Sequence, residues 1–257
     1  MKKRFFWVAV FILAICLIPG AARAGADLVQ WVNVGSNSGL FAFDWESAGV
    51  QGLNLAGSPQ SLRRGAAILK SKRKELACGA YVIIPICLFS SVVPESYDLR
   101  PGAASHPLLQ FDGMPDEKAM SEFSSMLDRV WKKEFSIRDY ADSMTRTNRD
   151  AYSANVARMR DFVGWCREEG LRLVFVLPPA QKSMRDLFPD SFMKAYVYDF
   201  IRDVTKGSDV KFLDYWSDGG FQDDRLYATS LFLNKTGRRR FTKKVIGDCQ
   251  RITSRRD

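Results

Sequence analysis

Apolar and polar positions along the chain alternate between two rhythms. Short apolar runs stand at Leu28–Val34, Leu53–Ala56, Ala80–Phe89, Arg172–Leu177 and Val210–Asp214. Runs of four to ten such residues bounded by turn formers predict strands, and near-continuous apolarity predicts strands covered on both faces. Between them the apolar spacing changes to three and four. Leu62, Ala66, Leu69 and Leu76 share one helical face. Met120, Phe123, Leu127, Val130 and Trp131 share another, as do Tyr152, Val156, Met159, Val163 and Cys166. Two more stripes follow, at Phe192, Ala195, Tyr196 and Phe200 and at Phe241, Val245, Cys249 and Ile252. Strands alternating with amphipathic helices predict an α/β three-layer sandwich with a mostly parallel five-stranded sheet. Ligands of such folds bind beyond the carboxyl ends of the strands. The rhythm breaks between residues 90 and 115, where Pro94, Pro101, Gly102, Pro107, Gly113 and Pro115 predict a loop or lid insertion.

The N-terminus carries a different signal. Met1-Lys2-Lys3-Arg4 precedes an unbroken apolar run from Phe5 to Ile18, then Pro19-Gly20 and the small-residue exit Ala22-Arg23-Ala24. That pattern predicts a signal peptide over residues 1–24, with one α/β domain over 25–257. An uncleaved N-terminal anchor is the competing reading, and it is the one route to a membrane. The expected location is extracytoplasmic, periplasmic or secreted. The net charge of +9 falls to +5 once Lys2, Lys3, Arg4 and Arg23 are removed, so much of the basicity belongs to the leader. Export argues against a nucleic-acid partner, and mild residual basicity suits an anionic surface.

Cys78, Cys87, Cys166 and Cys249 remain after the leader, and their apolar neighbours predict buried free thiols for the last three. A single histidine, His106, and no Cys-x-x-Cys leave no basis for a zinc site or other metal. Neither a Gly-x-Gly-x-x-Gly nor a Walker loop is present, so no cofactor is expected.

Three segments stand in a telling order. Gly35-Ser36-Asn37-Ser38 follows the first strand, Asn54-Leu55-Ala56-Gly57-Ser58 follows the second, and Leu231-Phe232-Leu233-Asn234-Lys235-Thr236-Gly237 opens the last helix. The set resembles the SGNH/GDSL-like hydrolases, in the branch related to alginate O-acetylation and teichoic-acid D-alanylation proteins. The similarity spans roughly Leu28 to Ile246. It implies a flavodoxin-like fold and acyl-ester chemistry on cell-surface glycans, a polysaccharide or the cell wall, with an envelope protein as a further expected partner. The family attacks esters with a serine after the first strand. A late histidine takes its proton, and an aspartate three residues earlier orients that histidine. On this chain those positions fall on Asn37, Phe232 and Thr229. An amide is no nucleophile and a phenyl ring holds no proton, so family-type catalysis cannot run through them.

The resemblance therefore implies a degenerate, binding or accessory protein whose pocket is formed by Asn37, Gly57, Ser58, Ser90, Thr229 and Phe232. Gly57 corresponds to a family glycine whose N–H binds the oxyanion. The alternative is an active esterase or O-acetyltransferase with displaced residues, Ser36 or Ser38 as nucleophile and His106 as base. A structural or interaction protein that keeps only the fold is the third reading. The basic cluster Arg238-Arg239-Arg240 with Lys243 and Lys244 reads as a solvated helix face or a polyanion site. Asp214, Asp218, Asp223 and Asp224 read as loop and cap residues, and Asn234 as the cap of the last helix. Cleavage after Ala24 is the expected outcome when the exported protein is sequenced from its N-terminus; an intact Met1 identifies an anchor instead.

Overall fold

A computed structural model describes residues 28–94, 111–113 and 115–254. The proposed leader, His106 and most of the 90–115 insertion lie outside the described residues. The five strands are β1 (Val29–Asn33), β2 (Gly52–Asn54), β3 (Leu76–Pro85), β4 (Arg172–Leu177) and β5 (Lys211–Asp214). They form one sheet in the order β2-β1-β3-β4-β5, and every pairing is parallel. This is the α/β sandwich that the alternating pattern predicts, with the flavodoxin-like strand order.

Period-two alternation sorts the strand residues between two helical layers. Val82, Ile84, Leu173, Phe175 and Leu177 face one core. Tyr81, Ile83, Val174 and Val176 face the other. The first core is closed by α3 (Leu62–Ser71), α5 (Arg146–Glu168) and the segment from α7 (Asp190–Phe192) through a π-helical stretch (Met193–Tyr198) to α8 (Asp199–Thr205). The second is closed by the short α2 (Trp45–Ala48) and the long C-terminal α9 (Lys235–Ser254). Two further helices lie toward the carboxyl ends of the strands: α1 (Asn37–Leu40) directly after β1, and α4 (Glu117–Glu134) after the insertion. A single short turn, α6 (Lys182–Arg185), follows β4.

Three elements depart from the sequence pattern. The strand expected at Ala80–Phe89 begins at Leu76 and ends at Pro85. Its start is hidden by Gly79, whose φ of +71° marks a bulge where the register against β1 shifts between Val29 and Trp31. Its apparent end is extended by Ile86, Leu88 and Phe89, which are buried without being in the strand. The helix expected to include Leu76 stops at Ser71. The stripe Phe192, Tyr196, Phe200 advances by four residues at each step, which drifts around an α-helix of 3.6 residues per turn. The wider π turn at its centre cancels that drift and keeps all three rings buried.

The thiols of Cys78, Cys87, Cys166 and Cys249 are free; Cys166 and Cys249 are buried, Cys87 is half-buried and Cys78 exposed. Burial pushes the Cys166 and Cys249 thiols up to about 12, so neither ionises at neutral pH. Among the described residues no helix is long and apolar enough to cross a membrane. Phe175, fully buried at the centre of β4, holds both the sheet and the α5 layer. Phe175→Ala is expected to lower unfolding free energy by about 3–5 kcal/mol in a urea titration.

Candidate functional site

A cavity of about 300 Å³ opens at the carboxyl ends of the strands. Each of the five strands delivers residues to it: Ser36, Asn37 and Ser38 after β1, Ser58 and Gln60 after β2, Cys87 to Ser90 after β3, Pro178 and Pro179 after β4, and Trp216 after β5. Helix α4 adds Phe123, Leu127 and Trp131, and the loop before α9 adds Leu231, Phe232 and Leu233. The location is the one expected of an open α/β sheet.

The mouth is built on a buried polar network that sequence reading overlooks. Asn33, the last residue of β1, is fully buried. Its Nδ2 donates to Asn54 Oδ1 at 2.8 Å and to the Gly39 carbonyl at 3.3 Å, and its Oδ1 accepts from Trp45 Nε1 at 2.8 Å. Asn54 is its register partner on β2 and in turn donates to the Gly39 and Phe43 carbonyls. The two amides thus pin the whole turn from α1 to α2. Gly39 must be glycine there, because a Cβ would lie 2.8 Å from the Ala56 Cβ.

On this platform Asn37 occupies the position of the expected nucleophile and lines the cavity. Its Oδ1 is buried and has no hydrogen-bond partner among the described residues. Ser36 and Ser38 line the cavity beside it, and the Ser36 hydroxyl accepts from the Gln60 N–H at 3.4 Å. Ser58 also lines the cavity, at a cis Ser58–Pro59 bond. Gly57, the expected oxyanion donor, has its N–H engaged within the protein. Its N–H donates to the Gly35 carbonyl at 3.0 Å, and it stands outside the cavity lining. Ser90 lines the cavity, but its hydroxyl closes its own turn by accepting from Cys87 N at 2.9 Å and donating to Cys87 Sγ at 3.2 Å.

The loop before α9 presents Phe232 to the same cavity. Its ring packs on Phe41 at 4.5 Å between centroids and on Phe123 at 6.0 Å. Thr229 lies behind this loop rather than in the cavity. Its hydroxyl accepts from the Phe232 N–H at 3.0 Å and the Leu231 N–H at 3.3 Å, so it shapes the turn that presents the phenyl ring. The loop is further fixed by a 2.6 Å bond between the Ser124 and Ser230 hydroxyls and by Gln181 N donating to the Ser230 carbonyl. His106, the displaced base of the alternative reading, lies outside the described residues. Among the described residues that line the cavity, none carries a carboxylate, an imidazole, an amine or a guanidinium.

The insertion is tied at both ends. Asn155 of α5 donates to the Ser91 and Val93 carbonyls, each at 3.0 Å. At the far end Asn234 donates to the Gly113 carbonyl, and Asp112 accepts from Thr236 N and Oγ1. Asn234 also caps α9, its Oδ1 accepting from Gly237 N at 2.9 Å.

The remaining sequence candidates take ordinary roles. Asp214, Asp218 and Asp223 accept from backbone N–H groups two residues ahead. The basic run at α9 divides: Arg238 is buried, Arg239, Arg240 and Lys243 are exposed, and Lys244 pairs with Asp218 and Asp248. Burial lowers the Arg238 pKa, against the opposing pull of Asp44 and Asp112. Among the described residues no group of three or more His, Cys, Asp or Glu could hold a metal ion.

No family model matches the chain, and no curated protein matches it. Among solved structures, a Streptococcus pneumonia protein provisionally described as a platelet activating factor aligns over 95% of this chain and 99% of its own. Its identity is 10% and its TM-score 0.37, a distance at which the likeness carries no argument about activity. Asn33→Ala is expected to cost about 2–4 kcal/mol in unfolding free energy, since it strands the Trp45 donor and loosens Asn54. Urea unfolding of that variant beside the wild type measures the loss.

Proposed function

We propose that the chain is an SGNH-like protein of the cell envelope that binds, rather than hydrolyses, an acylated cell-surface ligand in the cavity above the strand ends. The observation that carries this reading is the cavity's lack of any base among the described residues lining it. A serine hydroxyl stays inert at neutral pH unless a neighbouring group takes its proton. Ser36 and Ser38 have no such neighbour among those residues, and Asn37 and Phe232 stand where the resemblance calls for the nucleophile and the base. Loss of the Gly57 donor to the Gly35 carbonyl removes a second catalytic component, since a tetrahedral oxyanion needs N–H groups aimed at it.

Support for a binding role comes from the cavity itself. Packed interiors close over voids, because an empty apolar cavity destabilises the fold in proportion to its volume. A concave site of this volume beyond the strand ends, mostly apolar with a few polar groups, is where a ligand of such a sheet is expected. Glycan-linked acyl groups fit the resemblance, and the exported location follows from the leader pattern.

The test is hydrolysis of p-nitrophenyl acetate by the purified protein beside Ser36→Ala, Ser38→Ala and His106→Ala, with acetylated glycans as second substrates. No turnover above the buffer rate is expected for any of them. Turnover that one substitution abolishes overturns the binding reading in favour of a relocated catalytic site.

A further inference from the structure

The lining of the cavity is sorted by strand. On the β1–β2 side it gathers the hydroxyls of Ser36, Ser38 and Ser58 and the amides of Asn37 and Gln60, beside the apolar Phe41, Ala42 and Leu62. Toward β4, β5 and α4 it is hydrocarbon and aromatic, with Leu127, Trp131, Leu177, Pro178 and Trp216. Phe89 lies between the two and is itself locked by stacking on Phe135 at 4.4 Å. Residues following all five strands contribute, so the cavity draws on strand ends that span up to four inter-strand spacings, roughly 19 Å.

From this gradient we infer that the cavity holds one aliphatic chain of about eight to ten carbons, with an uncharged head seated among the hydroxyls and amides of the β1–β2 side. The inference deepens the proposed function and rests on it only in taking this cavity as the ligand site. Volume sets the chain length. An apolar cavity of about 150 Å³ takes one six-carbon benzene ring, so 300 Å³ takes roughly ten carbons of a less compact chain, far more than an acetyl group needs. Drawn from the ends of all five strands, that volume admits one extended chain. Charge sets the head. A carboxylate buried without a partner is strongly disfavoured, and no described lining residue offers a cation. Neutral hydroxyl and amide groups on the β1–β2 side suit an ester, an amide or a sugar.

Titration of the purified protein with 1-hexanol, 1-octanol, 1-decanol and 1-dodecanol, with the matching alkyl glucosides and with octanoate tests this. Calorimetry gives the affinities, and tryptophan fluorescence reports on Trp131 and Trp216 at the cavity wall. Each methylene is expected to tighten binding about fourfold, from about 0.8 kcal/mol apiece, and the gain is expected to stop near ten carbons. Octanoate at neutral pH is expected to bind at least tenfold more weakly than octanol. A glucoside tenfold tighter than its alkanol identifies an acylated glycan as the source of the chain, and equal affinities identify a free lipid. Leu127→Trp, which fills the α4 wall, is expected to move the plateau to a shorter chain while keeping hexanol affinity, a shift that simple misfolding does not produce. Affinity that does not rise with chain length, or octanoate binding most tightly, overturns the inference. Ester turnover with a rising chain-length series overturns only the non-catalytic reading; a flat series without turnover overturns only the chain.

Discussion

The architecture of the cavity mouth depends on one side chain, the buried amide of Asn33. A polar group at the end of an apolar strand is costly unless every hydrogen bond it can make is satisfied. Here both of its donors and its oxygen are engaged, to β2, to α1 and to the indole of α2. The amide therefore converts three separate segments into one rigid corner. Asn37 and Phe41 take their positions from that corner, and Phe232 packs against Phe41 from the opposite side. The scaffolding beneath the cavity is bonded at each of these three segments.

Much of the fold was legible because burial on both faces writes itself as continuous apolarity. β4 runs from Arg172 to Leu177 in pattern and structure alike. β3 was misplaced for a physical reason: hydrophobicity reports burial, and Ile86, Leu88 and Phe89 are buried as a turn beside the cavity. A bulge at Gly79 disguised its beginning in the same way. Parallel pairing followed from the alternation of strands and helices, and the strand order is the one that the flavodoxin-like resemblance implies.

The site was legible only in part. Asn37, Ser36, Ser38, Ser58, Ser90 and Phe232 do meet at one cavity. Thr229 and Gly57 do not, because their polar groups turn inward to the backbone, which no spacing rule reveals. Asn33 left a faint signal, a lone amide inside Val29-Gln30-Trp31-Val32-Asn33-Val34. Trp131, Trp216 and Leu231 come from distant segments, and only the three-dimensional path of the chain brings them together.

The two edge strands are the shortest in the sheet, three residues in β2 and four in β5. Exposed Lys211 and Asp214 bracket β5. An open sheet invites a further strand from a neighbouring molecule wherever its rim is long, flat and apolar, and brevity and charge both discourage that. Self-association of this molecule by strand addition, including fibril growth, is disfavoured at both rims.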